Sequence, residues 1–459
     1  MILERIASNK QKLLWTFFHI LLGIMCTITS SILIIWFYIV LLTNYQKVIL
    51  NLKQGKPFYF IILFSYLTSF EMLGRMAKAY PFLPMELGKY FLILFGLIGI
   101  SITQKFNIKI LMITILISIS LFFDYSNQRT FFDIINNYFG VLALSMVLMF
   151  LLTLNRNELM NFKIDLVLKF IFLAIVPALV YTFIKTPDIE DIEFKLSANF
   201  ETSGGASTNQ VSTVLGVGMV FCFYSWLKYL NFTGNRIFDL IMGLAFLAQG
   251  LLTFSRGGIL VGFIAIILLV ALINEINFKS ILFSTLAICL LLFTFFFIDN
   301  LTEGKLFLRY KGETNGTYNF GAEKDLKKFT SGRSMIFEED MKLWNNHPIF
   351  GVGVGSSRHI RGGSDEKISS HVELSRLLAE HGIWGLIYFF VILLLGFKLF
   401  KIVISDKSKV IYFILFIIGF LTTFHAGMRT FVTPLLIGLS VIGLKALKKK
   451  NAVIINRGN

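Results

Sequence analysis

Thirteen apolar runs, near or above the roughly 18–20 residues needed to cross a bilayer, follow one another along this chain. They fall at about 13–43, 57–73, 88–103, 108–123, 130–154, 164–185, 210–230, 236–255, 257–273, 279–298, 383–404, 409–428 and 430–447. Only 15% of the 459 residues are charged and 56% are hydrophobic, so a soluble domain of this size could not cover its surface. Period-2 alternation, which a transmembrane barrel needs, is missing. The expected fold is an all-α polytopic membrane protein with about 12–14 transmembrane helices.

A net charge of +16 raises the question of a nucleic-acid partner, and the placement of the charges answers it. Lys and Arg sit in short links between apolar runs, at Lys47, Lys53 and Lys56, at Lys105 and Lys109, at Arg156 and Lys163, and at Lys228 and Arg236. They recur at Lys398, Lys401, Lys407 and Lys409 and in the tail at Lys445, Lys448, Lys449 and Lys450. The alternating links are poor in basic residues or acidic, as in Asp188-Ile-Glu-Asp-Ile-Glu193. This is the positive-inside pattern, so the basic excess reads as topology and no nucleic acid is expected.

Counting back from an inside C-terminus puts residues 299–370 outside, together with Ser255–Gly258, Thr186–Asn209 and the His425–Arg429 turn. Thirteen runs would then leave the basic N-terminus outside, against the same rule. Either Thr27–Ser31 bends the first run into a hairpin, or one weak segment is not a full span. Both ends inside, with 12 to 14 spans, is the expectation. The first run is too long for a signal-peptide core and no small-residue cleavage site follows it, so it should remain as an anchor. Cys26, Cys222 and Cys289 all lie in apolar runs and read as packing residues, with no disulfide or zinc pattern.

The chain thus divides into N-terminal membrane helices (1–298), one large loop (299–370) and C-terminal membrane helices (371–459). The loop holds eleven Lys/Arg against ten Asp/Glu, so it is neither a basic arm nor an acidic tail. Phe337, Met341 and Trp344 fall at i, i+4 and i+7, which predicts a helix ended by Asn345-Asn-His-Pro348. The Gly-rich stretch 312–321 reads as surface loop. Gly351, Gly353 and Gly355 resemble a phosphate loop only superficially, because they follow a Pro in this loop and not a buried strand.

Three residues carry the candidate chemistry. Arg256 sits between two apolar runs, where an Arg costs at least ~2.5–3.5 kcal/mol and is commonly paired or functional. Gly257 and Gly258 beside it would let a large anion approach the backbone. The plainer reading is that Arg256 snorkels to the interface. Arg333 follows a candidate N-cap, Ser331, and would lie in the first turn of a helix. A cation is unfavourable there unless an anionic ligand joins it, and helix N-termini and Arg forks both favour phosphate. The plainer reading is an exposed loop arginine.

His371 is the third. Ser370-His-Val-Glu373 fits a capping box, with Ser370 as N-cap and Glu373 as its reciprocal partner. His371 would then lie near a positive helix end, which favours the neutral imidazole that a general base requires. The plainer reading is a structural histidine. His347, His359, His381 and His425 have no spacing that closes a metal site.

Thr253-Phe-Ser-Arg-Gly-Gly258, Ser331-Gly-Arg333 with its helix, Asn346-His-Pro-Ile-Phe-Gly-Val-Gly-Val-Gly355, and His371 leading into Leu377-Leu-Ala-Glu-His-Gly-Ile-Trp-Gly385 resemble, in order and spacing, the O-antigen ligase family. That family includes Wzy-type polymerases and protein O-oligosaccharyltransferases, and the resemblance covers about residues 200–430. It implies a GT-C-like inner-membrane glycosyltransferase with a large periplasmic loop. Such an enzyme moves a glycan from undecaprenyl pyrophosphate to an acceptor hydroxyl on lipid A core, a glycan or protein, without nucleotide sugar, metal or other cofactor. It further implies that Arg256 and Arg333 bind the pyrophosphate and that His371 is the essential histidine. The chain departs from the family at Ser203–Gln210, where many members carry an Asn-Pro-Asn-like motif and where acceptor choice is one candidate role. The rival from another class is a lipid-glycan transporter, but transporters place their polar residues in broken helices at mid-membrane. Here the polar residues gather at one face and in one loop.

Overall fold

The structure, a computed structural model, describes residues 2–7, 11–273, 278–320, 330, 332–361, 370 and 372–449. Among them there are helices, turns and links but no strand. This follows from the solvent: in lipid every backbone polar group must be satisfied internally, and a helix does so within one segment.

The N-terminal part comprises α1 (Ile2–Ala7), α2 (Lys12–Cys26), α3 (Ser31–Lys53), α4 (Phe58–Thr68), α5 (Glu71–Met76), α6 (Leu87–Thr103) and α7 (Ile108–Ser118). The middle comprises α8 (Phe131–Leu151), α9 (Ile164–Lys185), α10 (Thr208–Lys228), α11 (Arg236–Leu252), α12 (Arg256–Ile273) and α13 (Phe278–Leu301). Among the described residues, five short helices follow: α14 (Lys305–Tyr310), α15 (Asn315–Phe320), α16 (Arg333–Asn346), α17 (Ser357–Arg361) and α18 (Glu373–His381). Then come α19 (Ile383–Ser405), α20 (Val410–Thr422) and α21 (Val432–Ser440), the last continued by a 3-10 stretch, Val441–Lys449.

Six of these, α3, α8, α9, α10, α12 and α19, are long and apolar enough to cross a membrane by themselves. Shorter apolar helices run beside them. The chain is a multi-pass membrane protein. Polar caps mark where segments start: Asn107 accepts from the Lys109 and Ile110 amides at α7, and Thr130 and Asp133 close a capping box at α8.

Successive helices run alternately between two faces. On one face Lys12 donates to the Leu230 carbonyl (2.7 Å) and Lys169 to that of Ile6 (2.8 Å), joining the chain start to the α9 start and the α10–α11 link. On the other, Tyr181 donates to the Met76 carbonyl (3.0 Å), Thr202 to that of Leu252 (2.6 Å), and the Phe431 amide to Glu71 (2.7 Å). The basic links gather on the first face, here the basic face. The second, the site face, holds 186–207, the Thr253–Arg256 corner, α14–α18 and the turn 423–431. The first apolar run is two helices, α2 and α3, broken at 27–30, so of the two ways to settle the strand-of-spans parity the hairpin is the one adopted.

Two expectations for the large loop need correction. The stretch 312–321 is not all loop, since α15 occupies Asn315–Phe320. The predicted helix is present as α16, but Phe337 is 41% exposed, and the side chains it buries are Ile336 and Asp340. Asp340 turns inward because its charge meets Arg361 at 3.3 Å. The Gly351–Gly355 stretch is a packing clasp. The Val352 and Gly353 amides donate to the Ala379 and Glu380 carbonyls, and a Cβ on Gly353 (φ 94°) would lie 2.0 Å from the Phe123 carbonyl oxygen.

Candidate active site

The turn 423–431, between α20 and α21, is the floor on which the site face assembles. Ser370 and Glu373 dock on it at three points. Arg429 donates to the Ser370 carbonyl (2.6 Å), the Glu373 amide to the Thr423 carbonyl (2.8 Å), and the Met428 amide to the Glu373 carboxylate (3.1 Å). The start of α12 docks on the same turn: His425 packs on Gly257, where a Cβ would lie 2.4 Å from the imidazole. A Cβ on Gly258 would lie 2.3 Å from the Ser212 backbone. The two glycines therefore serve close packing of α12 against protein; the space beside them is filled by His425 and α10, not left for an anion to reach the backbone.

The Thr253–Arg256 corner is held from several sides. Ser255 donates to Asn209 (2.8 Å), Ser212 donates to the Ser255 carbonyl (3.0 Å), and the Asn199 amide to the Thr253 carbonyl (2.9 Å). Phe254 adopts φ 53°, uncommon for an aromatic residue, and is kept there by burial and by stacking on Phe194 at 5.2 Å. The Ser203–Gln210 segment thus acts as scaffold for the arginine corner, with Gln210 also accepting from Arg75.

Arg256 opens α12 and donates to the Arg309 carbonyl at 3.2 Å. Arg309, on α14, is 92% buried by exposure of 8%. Burial, then the charges of Arg256 and Arg333, push its guanidinium down to about 10. Arg333, the first residue of α16 as its position after Ser-Gly predicted, is likewise lowered by burial and by Arg256. Three guanidiniums from three separate elements therefore sit within one another's field. Beside them the Tyr310 hydroxyl is buried with no hydrogen-bond partner among the described residues, its ring edge-on to Phe295 at 5.4 Å. Such an arrangement suits an anion with several oxygens: guanidinium forks hold it bidentately and a phenol can donate once more.

A buried ionic chain links α16 to Glu373. Asp340 meets Arg361 (3.3 Å), Arg361 and Glu380 share Ser357 (2.7 Å to each), and Arg376 bridges Glu380 (2.8 Å) and Glu373. Burial pushes Asp340 up to about 6 despite Arg361. The N-terminal third contributes a second ionic group. Arg75 pairs with Glu71 (2.6 Å) and donates to the Arg429 carbonyl (3.0 Å), and Glu86 pairs with Lys89 (2.7 Å).

His371 and Ser331 lie outside the described residues, and so does any contact they make. The capping box expected around His371 is not formed. α18 begins at Glu373, its N-cap is Val372 without a side-chain bond, and Glu373 is drawn instead to Arg376 and the Met428 amide. The N-cap of α16 is Gly332, not Ser331. His381 is structural: buried, bonded to Ser120 (2.6 Å), and held down at about 3 mainly by burial. Among the described residues no three His, Cys, Asp or Glu side chains could share a metal ion.

Residues 240–390 match the family model described as O-antigen ligase. This stretch is similar to the O-antigen ligase family. It runs from α11 into α19 and so contains Arg256, Arg309, Arg333 and position 371, while Arg75, His425 and Arg429 stand outside it. No curated protein and no solved structure matches the chain. Members of the O-antigen ligase family are glycosyltransferase-like enzymes of ligase and polymerase type, and the domain supports that kind of function here.

Sequence reasoning missed Arg309, Tyr310, Arg75 and Arg429. Glu71 and Arg75, four residues apart at the end of an apolar run, were a visible signal. Arg309 had none, being one of eleven basic residues in a mixed loop.

Proposed function

We propose that the chain is an inner-membrane glycosyltransferase that moves a glycan from undecaprenyl pyrophosphate to an acceptor hydroxyl at the periplasmic face, most simply as an O-antigen ligase. The observation that supports this best is the convergence of Arg256, Arg309 and Arg333 on the face where Ser370 and Glu373 dock. In this reading the guanidiniums hold the pyrophosphate. The acceptor oxygen attacks the anomeric carbon, the carbon–oxygen bond to pyrophosphate breaks, and its electron pair leaves with the phosphate. The acceptor proton passes to the neutral imidazole of His371. Charge held on the leaving group does the work that a cation would otherwise do, so no metal is required. In-line attack inverts the anomeric configuration. A polymerase or a protein O-oligosaccharyltransferase would use the same steps on a different acceptor.

The test uses the full chain in nanodiscs with donor and acceptor, chelator present. His371→Gln can hydrogen-bond but cannot take the proton at neutral pH. It should abolish transfer while donor binding persists, because deprotonation belongs to the transition state. Wild-type rate should fall at low pH as the imidazole protonates. Substantial turnover by His371→Gln would remove the base from this position. The orientation is tested separately: a cysteine at Gly316 should react with an impermeant thiol reagent from the periplasmic side, and labelling only after inner-membrane lysis would reverse the assignment.

A further inference from the structure

The basic face carries a feature that the proposed reaction does not use. A cavity of about 400 Å³ opens where the α8–α9 link, the start of α20 and the closing 3-10 stretch meet. Arg156, Lys409 and Lys445 line it, with Phe162, Tyr412 and Ile442 as apolar wall. Among the described residues no carboxylate lines it, and none of the three cations forms an ion pair. The acidic residue of that link, Glu158, is engaged elsewhere, with Lys105 (3.1 Å) and the Asn155 amide.

The positive-inside rule explains cations on this face. It does not explain why three cations more than two hundred residues apart at the extremes surround one hollow. Mutual repulsion around a concave site is relieved by an anion, and basic pockets between membrane helices on this side suit anionic headgroups. The apolar wall narrows the choice. A free phosphate gains nothing from Phe162 and Ile442, whereas a phosphate that carries glycerol and acyl chains does. We propose that this cavity binds the headgroup of an anionic phospholipid from the leaflet at the basic face, with Arg156, Lys409 and Lys445 on its phosphate.

Native mass spectrometry of the full chain, stripped of lipid in detergent and titrated with phosphatidylglycerol, phosphatidylcholine or inorganic pyrophosphate, tests this. Phosphatidylglycerol should be retained well above phosphatidylcholine. The triple variant R156Q/K409Q/K445Q should lose affinity by roughly fivefold per cation removed. R156K/K409R/K445R should keep it, as should K53Q/K56Q/K398Q, which removes three basic-face charges that do not line the cavity. Unchanged retention in the first triple, or equal loss in the last, would overturn the site. Displacement of the lipid by equimolar pyrophosphate would overturn the lipid assignment. Equal elution volume and melting of all variants excludes misfolding as the cause.

Discussion

Two sets of buried or half-buried arginines face the same side of this protein and differ in their neighbours. Arg376 lies between Glu373 and Glu380, and Arg75 between Glu71 and Glu86. Arg256, Arg309 and Arg333 lie beside one another, and the charges of the first and third act to lower the second. In the first set each cation's charge is met within the fold, so its value is architectural. In the second, the charges of Arg256 and Arg333 bear on Arg309, the setting that the proposed anionic ligand would use. Residue type is the same in both sets. What surrounds the guanidinium separates scaffold from candidate site.

The sharpest way to break the comparison is Arg376→Ala. It would strand Glu373 and Glu380, both nearly fully buried, and removing one partner of a buried ionic group costs about 3–5 kcal/mol. The expected outcome is loss of folded protein, seen as low yield and a lower melting temperature in detergent. Adding Glu373→Gln and Glu380→Gln to Arg376→Met should restore much of it. A stable Arg376→Ala protein with transfer alone abolished would place Arg376 with the other set.

Arg256→Lys, Arg309→Lys and Arg333→Lys should behave in the opposite way. Each keeps the charge but loses the planar fork. Membrane level and melting should hold, while transfer at limiting donor falls by about 10²–10³, the range for removing one donor from a developing anion. Arg309 is the most informative of the three. It has no sequence signal, so a loss there equal to that at Arg256 rests on the fold alone. Full transfer by all three Lys variants would dissolve the distinction between the two sets.

How much of this was legible depends on whether a residue's role is set by its neighbours in sequence or in space. Membrane helices were readable because the bilayer imposes a length and a composition on each one. Arg256 was readable because it interrupts apolar sequence, and Arg333 because a helix begins at it. The family resemblance followed from the order of those motifs. Arg309 was not readable, since only the packing of α14 against α12 sets it apart from other loop cations. The Ser370–Glu373 capping pattern misled for a related reason. Glu373 suits a capping box locally, but Arg376 and the Met428 amide compete for its carboxylate and win. Gly257 and Gly258 looked like room for a ligand because a sequence does not show that His425 and Ser212 fill that room.

Gly257→Ala sharpens the comparison without touching any charge. Its Cβ would lie 2.4 Å from the His425 ring, so either the imidazole or the start of α12 must move. Overpacking of this kind costs typically about 1–3 kcal/mol. If the position of Arg256 matters, transfer should fall more than the melting temperature predicts, and donor affinity should fall with it. Replacing His425 by Ala in the same chain makes room and should recover part of the loss. No recovery would mean that the imidazole has a role beyond packing.

The smallest effect is expected at Asn209. Its side chain accepts from Ser255 (2.8 Å), and its carbonyl accepts from Thr213 (2.6 Å), whose hydroxyl also meets His425 (2.8 Å). Asn209→Ala removes only the first of these, a neutral hydrogen bond with a net worth of about 0.5–1.5 kcal/mol. The Ser255 hydroxyl loses a partner, yet Ser212 still holds the Ser255 carbonyl, so the corner should loosen and not collapse. Donor affinity should therefore weaken by a few-fold with kcat nearly unchanged. Ser255→Ala should do the same, and the double variant should be no worse than either single one, because both delete a single bond. Additive losses would show that Asn209 and Ser255 act separately. The corner would then be held by its backbone contacts to α10 and Asn199, and the position of Arg256 would owe less to side chains than the comparison assumes.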